Sequence, residues 1–210
     1  MKPRNGFTLV ELIVVIGIVA LIASITLANF PKLRSSITLD QEVRKVSVAL
    51  RRAQQFAMGV RRFDDTLPPD FAACSEFFKA QFPAYGVVLF AGSSLNDSYA
   101  IYADPDCNNE SATYSGDLIQ EFEFEHGVRV EKICLDIDNP EVDCSDDSEY
   151  TKLDIWYIRP GPRVSLTAYQ DTGTVKNASN SAKITFKSTD SGLKKSIIVR
   201  TTGQITIKNE

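Results

Sequence analysis

Histidine is almost missing from this 210-residue chain, which has only His126. A histidine-rich metal site is thereby excluded. A Ser-His-Asp triad would have to use Glu125-His126-Gly127, which reads as a turn between strands. The four cysteines, Cys74, Cys107, Cys134 and Cys144, form no C-x-x-C pair, so the common zinc and redox spacings are absent. An even count suits two disulfides in an oxidising compartment, with three pairings open. Lysine and arginine are scarce in one long stretch: from Phe63 to Tyr150 there are 3, against 20 Asp or Glu. The balance reverses from Thr151 to Glu210, with 10 bases against 4 acids. Lys32 to Arg62 holds 8 bases, and its only acids are Asp40 and Glu42. Such asymmetry decides which surfaces meet anionic or cationic partners. No catalytic constellation is left, and the expected class is not an enzyme. Apolar residues are not scarce: 43%, with 24% charged, supports a packed core and excludes global disorder. The length allows one globular domain plus an extra element.

That extra element lies at the start. Met1 to Gly6, MKPRNG, is short, polar and basic through Lys2 and Arg4. From Phe7 to Ala28 follow 22 residues whose only charge is Glu11. As a helix they span about 33 Å, close to the roughly 30 Å hydrocarbon core of a bilayer. Valine and isoleucine abound there, yet in lipid the backbone must satisfy its own hydrogen bonds, so a lone spanning segment is a helix. The basic leader fits a cytoplasmic N-terminus. An ordinary secretory signal is cut after its apolar stretch; here the plausible cut lies before it.

Gly6-Phe7-Thr8-Leu9-Val10-Glu11 resembles the class III leader of type IV prepilins, G-F-T-L-x-E with cleavage after the glycine. The resemblance implies processing between Gly6 and Phe7 by a prepilin peptidase and N-methylation of the new Phe7 amine. It also implies an assembly role for Glu11. A carboxylate in hydrocarbon costs on the order of 3 kcal/mol and tends to have a paired partner. In this family that partner is the terminal amine of a neighbouring subunit. The chain is thus expected in the bacterial inner membrane as a single-pass protein, its head periplasmic or otherwise extracytoplasmic, and then in a pilus or pseudopilus. Expected partners are other pilin or pseudopilin subunits, the prepilin peptidase, an inner-membrane assembly platform, and the lipid bilayer before assembly.

The organisation expected is a leader over 1–6, a spanning or filament-core helix over 7–30, an amphipathic half over 31–62 and a β-rich head over 63–210. Pro31 removes a backbone donor and should kink the helix near Ala28. Beyond it Leu39, Val43, Val46, Leu50, Ala53 and Ala57 make one apolar stripe, backed by Arg44, Lys45, Arg51, Arg52, Arg61 and Arg62. After a loop over 64–82, nine strand-like runs follow, from Ala84–Phe90 to Gln204–Lys208, many alternating apolar with polar. Thr201-Thr202-Gly203-Gln204 reads as the turn of a closing hairpin. The expected fold class is α+β, a long N-terminal helix packed on an antiparallel β-sheet head in a pilin-like roll. Leu50–Ala57, Tyr85-Gly86-Val87 and Ile197–Ile205 resemble the GspH/FimT group of minor pilins and pseudopilins. Gln54 stands where that group has an arginine, and Gly203-Gln204-Ile205-Thr206 lacks the arginines of its closing G-R-x-R.

Two acidic loops and one basic cluster are the candidate binding sites. Asp104, Asp106, Asn108 and Glu110 alternate oxygen side chains as calcium ligands do, without the glycine and final glutamate of an EF-hand loop. Cys134 to Glu149 holds seven more acids. Solvated acidic turns are the expectation for both, with no cofactor and calcium as the one candidate ion. Lys194, Lys195, Arg200 and Lys208 cluster near the last hairpin and are the candidate contacts to DNA phosphates. The family resemblance adds that some FimT-type minor pilins act in DNA uptake. Cys134 and Cys144 bracket a loop short enough for a disulfide to close, leaving Cys74 with Cys107.

Overall fold

The computed structural model describes residues 8–59, 83–91, 98–104, 118–125, 127–137, 150–158, 163–170 and 172–210. Helix α1 runs from Leu9 to Met58, 50 residues and roughly 75 Å. Thr8 caps it in an extended conformation, its hydroxyl accepting the Glu11 N–H at 3.2 Å. Gly59 closes it, its N–H donating to the Gln55 carbonyl at 2.7 Å. The described helix reaches Met58, and the further run to Arg62 that the sequence suggests falls on residues not described. The buried stripe is complete at Ala57. Residues 60–62 lie outside the described residues. Pro31 sits inside α1, which is helical on both sides of it. The proline boundary between the two halves is thus a change of surroundings, not an end of secondary structure.

The head consists of β1 (Ala84–Phe90), β2 (Ser98–Asp104), β3 (Leu118–Glu123), β4 (Val128–Leu135), β5 (Tyr150–Ile158), β6 (Arg163–Gln170), β7 (Val175–Asn177), β8 (Ser181–Ser188), β9 (Lys194–Arg200) and β10 (Ile205–Asn209). Nine of these match the runs legible in the sequence; β7, with three exposed residues, has no apolar alternation to betray it. The α+β class holds, but the strands form two antiparallel sheets. The large one has the order β3-β2-β1-β5-β6-β7 and the small one β10-β9-β8-β4. The chain crosses between them after β3, where Gly127 takes φ +67 and its carbonyl accepts the Thr189 N–H at 2.9 Å.

Both sheets turn an apolar face to the upper half of α1. Leu39, Val43, Val46, Leu50, Ala53 and Ala57 are all buried, joined by Ala49. They share one core with Val87 and Leu89 of β1, Ile155 of β5, Ile184 and Phe186 of β8 and Ile197 of β9. One helix can fill the gap between two half-buried sheets, which explains why the strands split rather than extend one open sheet. On the opposite face of the large sheet Tyr102 and Trp156 meet edge to face, centroids 4.3 Å apart, beside Val88 and Ala100. Gly86 lies under that pair. A Cβ there would come 2.7 Å from the Ile155 carbonyl and 3.0 Å from each ring, so only glycine fits. The closing hairpin is as expected, with Gly203 at φ +85 and its N–H donating to the Arg200 carbonyl at 2.8 Å.

Candidate functional site

The lower half of α1 has no protein around it. Within its most apolar 18-residue window no residue is buried, and α1 is the one helix among the described residues long and apolar enough to cross a membrane. Leu9, Ile13, Ile16, Leu21 and Ile25 are each more than half exposed. Its hydroxyls are satisfied within the helix: Ser24 Oγ donates to the Ala20 carbonyl at 2.7 Å and Thr26 Oγ1 to the Ala23 carbonyl at 2.9 Å. This is how polar side chains are carried in a medium that offers no partners. Glu11 stands exposed in the first turn, where the helix dipole favours a negative charge. Thr8-Leu9-Val10-Glu11 is also a capping-box pattern, and the sequence reading overlooked Thr8 as the cap. Gly6 and Phe7, the expected cleavage and methylation positions, lie outside the described residues.

The upper half is fastened to the head by charge as well as by its stripe. Asp40 accepts from Lys195 of β9 at 2.5 Å and from Arg44 at 2.8 Å. The Lys195 hydrogen bond, then that of Arg44, holds the Asp40 carboxyl below the usual range despite partial burial. Lys45 joins the buried Glu42 at 2.8 Å to Glu125 at 3.1 Å. Those two carboxylates, Glu42 first, raise the Lys45 pKa. Arg52 donates to Gln120 of β3 at 2.8 Å and lies over the Phe56 ring.

Lys195 is therefore misplaced in the basic cluster expected from the sequence. Residues 194 and 195 face opposite ways on a strand, and Lys195 points inward to Asp40. Lys194 and Lys208 are exposed on the outer side of the small sheet, and Arg200 is partly buried there. They stand with four bases that the sequence reading did not group with them: Arg129, Lys132, Lys183 and Lys187. Strand alternation carried that signal for Lys183 and Lys187 of β8, whereas Arg129 and Lys132, three apart, share the face only because β4 shifts register between Val130 and Lys132.

Of the calcium candidates, Asp104 is buried at the end of β2, opposite Ala84. Asp106, Asn108 and Glu110 lie outside the described residues. Of the second acidic loop, Asp136 has φ +53 and accepts from the N–H groups of Asn180 at 2.7 Å and Ser181 at 3.4 Å. Burial pushes its pKa up, but those N–H groups, with that of Ser179, and the charge of Lys176 outweigh it and leave the pKa lowered. Its carboxylate is committed to holding the β7–β8 connection. Among the described residues no group of three or more His, Cys, Asp or Glu is arranged to hold a metal. Cys134 is disulfide-bonded; Cys74, Cys107, Cys144 and His126 lie outside the described residues.

Residues 1–27 match the family described as the prokaryotic N-terminal methylation motif. Comparison with curated proteins returns no match, and comparison with solved structures returns none either. The match spans the basic first residues, Glu11 and the exposed lower half of α1, and stops before the head.

Proposed function

We propose that this chain is a structural subunit of a type IV pilus or of a type II secretion pseudopilus. The observation that carries the reading is one continuous helix with two surroundings. Its upper half is the core of a β head, while its lower half, matched by the methylation motif, buries nothing. Such a half-helix needs lipid first and other helices later. The subunit waits in the inner membrane with its head outside the cytoplasm. A prepilin peptidase removes Met1 to Gly6, and the Phe7 amine is methylated. The helix then leaves the bilayer through an assembly platform and packs beside neighbouring subunits. Glu11, one helical turn from the new amine, pairs with the amine of a neighbour and sets the axial register. The work is assembly rather than turnover.

Intact-mass measurement of the protein from its native host tests the processing. A chain of 204 residues (210 minus 6) beginning with methylated Phe7 is expected. Retention of Met1 to Gly6, or a cut after Ala28, overturns it. Glu11→Val tests assembly: membrane insertion is kept, because a charge leaves hydrocarbon, while recovery in sheared filaments is lost. Wild-type recovery of that variant removes the pairing role.

A further inference from the structure

The small sheet turns one face to α1 and the other outward, and the outward face carries mostly one sign of charge. Arg129 and Lys132 of β4, Lys183 and Lys187 of β8, Lys194 of β9 and Lys208 of β10 stand on it. Two acids share it. Glu131 bonds Lys187 at 2.9 Å and Lys194 at 2.7 Å, and Glu210 pairs with Lys183. With Arg200 of β9 on the same face, seven bases less two acids leave a charge of +5. Within the face lies a cleft of about 450 Å³, with Ser196 and Ile198 in its lining, Lys208 and Asn209 beside them, and Lys183 there with the Glu210 it pairs with. Ser196 is fully buried, and its Oγ has no hydrogen-bond partner among the described residues. A buried hydroxyl without a partner is costly. A carboxylate in this cleft would accept from the Ser196 hydroxyl beside the charge of Lys208, competing with Glu210 for Lys183.

The same head offers such a carboxylate on its other sheet. β3 is an edge strand of the large sheet, and Glu121 and Glu123 on it are exposed. We infer that the cleft receives Glu121 or Glu123 from the edge strand of a second copy of this chain. Two unlike, complementary patches on one subunit give a heterologous contact, which repeats into an open helical filament where its rotation does not close into a ring. The inference rests on the filament reading and sharpens it: the chain neighbours its own copies, as a repeating subunit does. It thereby amends the minor-subunit placing that the GspH/FimT resemblance suggests. A nucleic acid is the less fitting occupant. The whole chain carries −4, and the face itself holds two carboxylates.

Filaments are grown from an equal mixture of unlabelled and ¹⁵N-labelled full-length subunits and treated with a carbodiimide, which joins lysine amines to carboxylates. Links from Lys183 or Lys208 to Glu121 or Glu123 are expected, about half of them of mixed isotope. The pair Lys183→Glu/Lys208→Glu should cut filament yield at least tenfold. Adding Glu121→Lys/Glu123→Lys should restore it, an outcome that misfolding of either variant cannot produce. Same-isotope links only, no links to these glutamates, or no rescue overturns the inference while leaving the filament reading intact. Failure of the wild-type chain to form any filament overturns the filament reading, and the inference with it. Salt-sensitive binding of duplex DNA, abolished by the two lysine reversals, would assign the face to nucleic acid and also overturn it.

Discussion

The two halves of α1 share one backbone and hold their shape for different reasons. From Leu9 to Thr26 the helix is crowded with valine and isoleucine, whose stiff side chains favour a helix little in water. From Ala49 to Ala57 it reads ALRRAQQFA, rich in strong helix formers. Yet the poorer half stands without support from the head, while the better half is packed against two sheets. On the proposed membrane reading, the lower half is ordered by its solvent. Lipid leaves a backbone no alternative to its own hydrogen bonds. The upper half is ordered by packing, and its charges fix how it sits on the head.

The strongest test is a pair of matched truncations. Leu50→Ala removes a fully buried side chain and should cost the head about 2–5 kcal/mol. Leu21→Ala, 62% exposed in the lower half, should leave head stability unchanged. Denaturant unfolding of the full chain in detergent, followed by fluorescence of the single Trp156, reads both. Equal losses would erase the distinction between the halves.

The disulfide comes next, because it acts on the head alone. Peptide mapping without reduction is expected to join Cys134 to Cys144. Cys134→Ser should then lower head stability by about 2–3 kcal/mol, the value of closing so short a loop. Membrane retention should not change. A Cys134 peptide linked to Cys74 or Cys107 refutes the pairing.

The clamp between Asp40 and Lys195 should contribute less, since both side chains are partly exposed. A double-mutant cycle with Asp40→Asn and Lys195→Met should give a coupling of about 0.2–1 kcal/mol, reduced by salt. Coupling indistinguishable from zero would leave the apolar stripe as the only fastening.

Titration gives the most graded contrast. Asp40 and Asp136 have folded pKa values below their ordinary 3.8, so their contribution is present above about pH 4 and is lost as pH falls through the folded values. Glu131 behaves alike: burial raises its pKa, but Lys194 and Lys187 lower it further. At the other end burial, then the charge of Glu42, pushes Tyr99 up to about 12, and burial raises Tyr157. Their contribution is whole below about pH 10 and fades as pH rises through the folded values. The head should therefore lose stability at both extremes, while the lower half stays in membranes throughout. Thermal unfolding against pH, beside alkaline extraction of membranes, separates the two. A flat head profile between pH 2 and 4 would remove the carboxylate contribution.

How much of this could be read in advance follows from the range of each interaction. Leu39, Val43, Val46, Leu50, Ala53 and Ala57 announced a buried face because helical periodicity is local. The strand runs were legible for the same reason. β7 was not, since its three exposed residues are held only by pairing with β6. Lys194 and Lys195 looked like neighbours in one cluster, but strand alternation and a carboxylate 155 residues away put Lys195 on the opposite face. Asp136 reads in the sequence as one acid of a solvated turn, and it caps backbone 44 residues on.

The sequence by itself determined the basic start, the apolar span with Glu11 near its beginning, the stripe beyond Pro31 and the strand-rich head. Each is written in contiguous residues and rests on periodicity, charge or transfer to lipid. Only the tertiary structure decided that the strands divide into two sheets around one helix, that Gly86 lies beneath Tyr102 and Trp156, and that bases from four strands share one outward face. Those outcomes depend on which strands pair and in what register. A shift of one residue would turn every side chain of a strand to its other face, and nothing local to the strand fixes that choice.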